Sequence, residues 1–220
     1  MSDLPRLLLI ADGFASGRGQ GPHAQTAERV RKLAAEAVAA GVRWVMLRDH
    51  AADDPTFLRA AGRLTERLRD ACPDVRLMVN TRADVARRLR LDLHVGTRGP
   101  GAVEALGAVD AHYGIVGVSA HSAQDAVEAG RAGASYATLS PIYRTATHPE
   151  AAPAGLGLLR RSAEAAPDLP VLALGGLTPS RVAECREAGA YGVAVLSAIL
   201  DAHRPTRAVE QFLVALSRPV

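Results

Sequence analysis

The chain of 220 residues contains a single lysine, Lys32. It falls inside the first amphipathic pattern, beside Arg31 and away from any strand end, so no amine is placed for Schiff-base chemistry. Cysteine is almost as scarce. Cys72 and Cys185 stand far apart without CxxC spacing, which argues against a metal knuckle or a redox pair, and both are expected to be helix residues without a chemical role. Aromatic residues make up 4% of the chain, so its formal charge of +3 comes without the stacking platforms that bind bases. The local cluster Arg82, Arg87, Arg88 and Arg90 reads as the solvated outer face of a helix, and nucleic acid is not an expected partner. No apolar run approaches the roughly 20 residues that span a bilayer. The opening MSDLPRLLLIAD carries an acidic residue and too short an apolar run for a secretory signal. The expectation is a cytoplasmic protein with no membrane partner.

What the chain does have is apolar material, 48% of its residues, arranged in a strict alternation. Short apolar runs recur at 6–11, 42–47, 75–80, 91–95, 113–118, 135–140, 170–175 and 191–196. Helix-like segments lie near 26–40, 55–71, 82–89, 101–109, 122–132, 155–165, 178–189 and 206–217. This is the grammar of βα units around a parallel sheet. AAGVRWVML, RAGASYATL and EAGAYGVAVL repeat one theme: a helix end, a glycine suited to its left-handed stop, then a buried strand. The pattern predicts an α/β protein, a single (β/α)8 TIM barrel over residues 1–220. A doubly wound open sheet shares that grammar, but no GxGxxG follows the first strand. The GRGQG of Gly17 to Gly21 comes after a loop and reads as a flexible lid or turn.

A barrel of this kind carries its chemistry on strand C-termini and the loops that follow. That rule selects Asp12, Arg48, His50, Asn80, His94, Ser119, His121, Thr145, Thr147, His148, Gly175, Gly176 and Ser197. Gly175 and Gly176, followed by LTPS, and Leu196 and Ser197, opening a short apolar helix, fall where barrels often hold phosphate on backbone N–H groups. His121, in GVSAHS, is the natural proton-transfer group, because imidazole titrates near neutrality. The histidines at 50, 94, 121 and 148 show no HxH or HxxxH spacing, so a metal site is not expected. Asp49, Asp53 and Asp54 read as a solvated surface loop, and Asp92 as the head of a strand.

The motifs VMLRDH (45–50), LMVNTRADVA (77–86), LHVG (93–96), GVSAHS (117–122), ASYATLSPIYRTATHP (134–149), LALGGL (172–177) and GVAVLSAIL (192–200) together resemble the thiamine phosphate synthase and TenI superfamily. The synthase pattern implies that a pyrimidine diphosphate loses pyrophosphate to a thiazole phosphate, with magnesium held by aspartates. Here those aspartates correspond to Thr81 and Gly99. Met46 and His50 replace a glutamine and a lysine flanking Arg48, and His148 replaces a further lysine. Loss of both carboxylates removes the hard oxygen ligands magnesium prefers. The thiazole phosphate end is kept: by resemblance Gly176, Leu196 and Ser197 offer N–H groups to phosphate, while Ser119, Thr145 and Thr147 lie near the ring and its carboxylate. The resemblance therefore implies the TenI branch, a thiazole tautomerase in thiamine biosynthesis with His121 as proton shuttle and no cofactor. Thiamine phosphate synthase, with magnesium, is the alternative, and a non-catalytic thiazole phosphate sensor a third. A homodimer is compatible with the apolar helix faces such barrels present.

Overall fold

The computed structural model describes residues 4–18, 25–96, 114–145 and 150–219. Eight parallel strands close into a barrel in chain order, with β1 hydrogen-bonded to β8. They are β1 (Leu7–Asp12), β2 (Trp44–Arg48), β3 (Arg76–Asn80), β4 (Asp92–Val95), β5 (Val116–Ala120), β6 (Tyr136–Leu139), β7 (Val171–Leu174) and β8 (Gly192–Val195). The described helices are α1 (Ala27–Ala39), α2 (Asp54–Ala71), α3 (Ala83–Leu89), α4 (Ala123–Arg131), α5 (Gly155–Ala165), α6 (Val182–Glu187), α7 (Ser197–Leu200) and α8 (Pro205–Ser217). Closure rules out the open-sheet alternative, because no strand edge is left for a doubly wound order.

Each strand is a near-continuous buried run, as a parallel strand packed on both faces must be: Leu8, Leu9, Val45, Leu47, Met78 and Val79 are all fully buried. Helix starts follow local capping rules. Thr26 and Asp53 accept the N–H groups of Arg29 and Thr56. Ser122 and Asp125 form a reciprocal capping box that starts α4 immediately after His121. The Asp125 carboxylate also accepts the backbone N–H of His121 at 2.7 Å, so the cap fixes the backbone that carries the imidazole.

The structure departs from the sequence pattern at several points. Strand five begins and ends later than the run 113–118, which puts Ser119 inside β5 rather than after it. The segment near 178–189 splits into a 3-10 turn, Pro179–Arg181, and α6. Cys72 caps the end of α2, whereas Cys185 is a buried residue of α6. The expected helix near 101–109 and the residues of GRGQG beyond Arg18 lie outside the described residues.

Two charged groups expected on the surface are drawn inward. Asp49 is buried and accepts the backbone N–H groups of Ala15, Ser16, Ala51 and Ala52 and the Ser16 hydroxyl. Burial opposes its ionisation, but those donors from Ser16, Ala15 and Ala52 hold its pKa below the usual value. It ties the β1–α1 loop to the β2–α2 loop, a structural task that solvation could not perform. Arg82 likewise leaves the outer face. Its guanidinium stacks 4.4 Å from the Phe57 ring centroid and donates to the carbonyls of Asp49 and Ala52 and to the Asp54 carboxylate.

Candidate active site

A cavity of about 460 Å³ opens at the C-terminal ends of the strands. It gathers Arg48 and His50 from the end of β2, Asn80 and Thr81 from β3, Ser119 and His121 from β5, and Thr145 from the β6–α5 loop. Gly175 and Gly176 follow β7 and Leu196 and Ser197 follow β8, and they line the same cavity. Every described residue expected to bind ligand is therefore brought together; Thr147, like His148 and Gly99, lies outside the described residues.

Backbone conformation prepares the β7 wall. Gly175 and Gly176 adopt φ of +97° and +64°, and a Cβ would collide with Pro141 at the first and with the Arg144 carbonyl and the Tyr143 Cβ at the second. Only glycine satisfies both the left-handed turn and the close approach, and it leaves peptide N–H groups accessible to an anion. Thr81 also has positive φ, +68°, which is costly for a β-branched residue. The turn is held by its N–H, which donates to the His94 carbonyl at 2.7 Å. Nothing in the local sequence pattern marks Thr81 as strained, so sequence reasoning registered it only as a missing aspartate.

Arg48 is the cation of the described cavity wall, and its Nε donates to Asp12 Oδ1 at 2.8 Å. Asp12 is also 4.0 Å from Arg18 Nε. Arg18 in turn forms two hydrogen bonds to Asp201 at 2.6 and 2.8 Å, at the end of α7. Gln25 donates to the Leu200 carbonyl and to Asp201, so both described ends of the β1–α1 loop are anchored to α7.

His121 lines the cavity, and its Nδ1 lies 2.8 Å from the Ser140 carbonyl oxygen. A carbonyl can only accept, so in the neutral ring Nδ1 carries the hydrogen and Nε2 is the basic atom. His94 behaves differently. It is not a rim residue but is buried in the barrel, with Nε2 3.0 Å from Ser119 Oγ and Nδ1 2.8 Å from the Tyr136 hydroxyl. Burial, reinforced by the nearby Arg48 charge, lowers its pKa to about 3. The ring is therefore neutral at physiological pH. The four-histidine rim thus breaks up: His50 and His121 line the cavity, and His94 lies below its floor. Among the described residues no group of three His, Cys, Asp or Glu side chains could hold a metal.

Tyr136 escaped notice as part of the site, and Gly117 was marked only as the start of GVSAHS. Strand parity offers a signal for them: β4, β5 and β6 pair His94 with Gly117 and Gly117 with Tyr136, and Ser119 lies two residues beyond Gly117 on the same face. A Cβ at Gly117 would sit within the Tyr136 ring, so its absence opens the path by which Tyr136 reaches His94.

Comparison with known proteins gives a consistent picture. The chain is 36% identical over 221 residues to the thiamine-phosphate synthase of Salinispora arenicola, covering 99% of this chain and 100% of that one. It is 33% identical over 215 residues to the thiamine-phosphate synthase of Chloroflexus aurantiacus, covering 96% and 93%. Among solved structures, thiamine phosphate pyrophosphorylase from Pyrococcus furiosus superposes with a TM-score of 0.78 at 24% identity, covering 96% of this chain and 95% of that one, a likeness of fold. These names side with the synthase expectation and lend no specific support to the TenI branch. The thiamine monophosphate synthase (TMP-TENI) family model matches residues 20–199, and the chain belongs to that family.

Proposed function

We propose that the chain is a TenI-type isomerase that aromatises a thiazole carboxylate phosphate, with His121 moving the proton. The observation that carries this reading is the bond from His121 Nδ1 to the Ser140 carbonyl at 2.8 Å, which leaves Nε2 as the base in a cavity whose described wall carries no Asp or Glu. Tautomerisation removes a proton from one carbon and returns it to another. One base does both, with no leaving group to stabilise. The glycine pair after β7 and the residues Leu196 and Ser197 supply N–H groups for the phosphate, and Arg48, steadied by Asp12, supplies the neighbouring positive charge.

The synthase pattern also implies magnesium. A hard divalent ion takes carboxylate oxygens, yet no Asp or Glu lines the described cavity wall, and Asp12 is already engaged by Arg48. The positions that resemblance assigns to the metal aspartates are Thr81 and Gly99. The described residues of the wall do not fit the ion.

The relatives' names favour a second reading, thiamine-phosphate synthase. One experiment separates the two. The full chain is given the non-aromatic thiazole carboxylate phosphate with chelator, and in parallel a pyrimidine diphosphate plus thiazole phosphate with magnesium. Chelator-resistant aromatisation supports the isomerase. Magnesium-dependent joining without aromatisation overturns it in favour of the synthase, and tight binding without either reaction leaves a ligand sensor.

A further inference from the structure

A buried chain of hydrogen bonds runs under the cavity floor, and the proton-transfer reading makes no use of it. From the cavity inward it passes from Ser119 Oγ to His94 Nε2 at 3.0 Å, from His94 Nδ1 to the Tyr136 hydroxyl at 2.8 Å, and from that hydroxyl to the Met78 sulfur at 3.0 Å. Met78, His94 and Tyr136 are buried, whereas Ser119 lines the cavity.

The hydrogen count sets the direction of every link. Tyr136 has one hydroxyl hydrogen, and a thioether has none to give. Oxygen and sulfur 3.0 Å apart with no hydrogen between them would press lone pair against lone pair, so the Tyr136 hydroxyl donates to Met78. Its oxygen is then the acceptor for His94, whose Nδ1 must carry a hydrogen. The buried ring beside Arg48 stays neutral and has only that one N–H, so Nε2 accepts the Ser119 hydroxyl hydrogen. Ser119 is left with lone pairs alone to show to the cavity.

We propose that Met78, Tyr136 and His94 are positioning residues that hold Ser119 as a hydrogen-bond acceptor, so that the ligand sets an N–H or O–H donor against it. A carboxylate has no hydrogen to offer and is turned away from this point of the floor. On the thiazole reading, on which this one identification rests, the donor is the ring nitrogen once it has taken a proton from solvent, and the substrate carboxylate lies elsewhere in the cavity.

The tautomer is read directly by long-range proton–nitrogen correlations on the full chain, isotope-labelled at histidine. At about pH 6, His94 is expected to be neutral with its hydrogen on Nδ1. Met78→Leu keeps the apolar bulk but removes the sulfur acceptor, and is expected to turn the Tyr136 hydroxyl toward Nδ1 and move the ring hydrogen to Nε2. Tyr136→Phe, which leaves Nδ1 without a partner, is expected to do the same and serves where Met78→Leu does not fold. An Nε2–H ring or an imidazolium in the unsubstituted protein, or a tautomer unchanged in the variants, overturns the proposal. A second readout separates relay from packing. Met78→Leu is expected to raise the KM for thiazole carboxylate phosphate about three- to tenfold, the weight of one neutral hydrogen bond, with Ser119 present and to have no such effect on a Ser119→Ala background. An equal effect on both backgrounds shows that Met78 does not act through Ser119 and also overturns it. Absence of turnover counts against the proposed reaction alone, and the tautomer then decides the relay.

Discussion

Arg48 turns its Nε toward Asp12, 2.8 Å away, across the neighbouring strands β1 and β2, where the two residues are register partners. The pairing fixes a long, otherwise mobile side chain at the cavity wall and leaves its terminal nitrogens for an anion. It also links that cation, through Arg18 and Asp201, to the end of α7.

Asp12→Asn removes the charge partner while conserving shape. The expected outcome is a KM for the phosphorylated substrate raised about tenfold with kcat changed much less, since the carboxylate acts on ligand capture rather than on the base. Asp12→Glu is expected to recover part of the loss. A fall in kcat with unchanged KM would show that the pair serves the chemical step instead.

His121→Ala removes the only base assigned to the reaction. Aromatisation by the full chain is expected to fall by at least about a hundredfold, the usual scale for a positioned general base, with phosphate-ligand affinity kept within about threefold of the original. A variant that keeps its full enzyme-dependent rate would remove His121 from the mechanism.

His94 links stability to pH. The unfolded chain binds a proton at an ordinary histidine pKa of about 6.5, whereas the folded chain does so only at about 3. Between those values the unfolded state holds more protons, so this contribution is complete above about pH 6.5 and is lost as pH falls toward 3. About 2 kcal/mol is expected to disappear by about pH 5. Asp92, whose pKa is raised by burial, works in the opposite sense over its own window. The measurement is therefore the difference in denaturant stability between the unsubstituted chain and His94→Gln across this range; parallel curves would refute the assignment.

Thr81 is held at φ +68°, a region where asparagine and glycine are far more at ease than a β-branched residue. Thr81→Asn is expected to stabilise the fold by about 1 kcal/mol in chemical denaturation, by relief of that strain. Destabilisation would mean that contacts of the threonine side chain outweigh its backbone cost.

Gly117→Ala places a methyl group where the Tyr136 ring now lies. Overpacking of this kind is expected to cost about 2 kcal/mol. It is also expected to disturb the ring nitrogen resonances of His94, because Tyr136 must move to make room. Unchanged stability and an unchanged His94 spectrum would show that the barrel absorbs the methyl group without moving Tyr136.

Much of this protein was legible locally. Apolar runs such as LLLIAD and WVMLR are buried on both faces in a parallel sheet, and residues such as Thr26, Asp53 and Ser122 start helices through their own neighbours' N–H groups. Those signals act within a few residues, so alternation announced a parallel α/β sheet, and eight repeats without a GxGxxG after the first strand favoured a barrel over an open sheet. Strand ends then identified Arg48, Asn80, Ser119, His121 and the glycine pair as cavity residues. Closure of the barrel decided the rest, because it sets depth and partner between residues far apart in the chain. It brought Asp49 into contact with Ser16, and it set His94 between Ser119 and Tyr136 rather than on the rim. Burial and hydrogen-bond direction are properties of the packed interior. The same histidine in sequence is a metal ligand, a base or a neutral strut according to which groups the barrel sets around it.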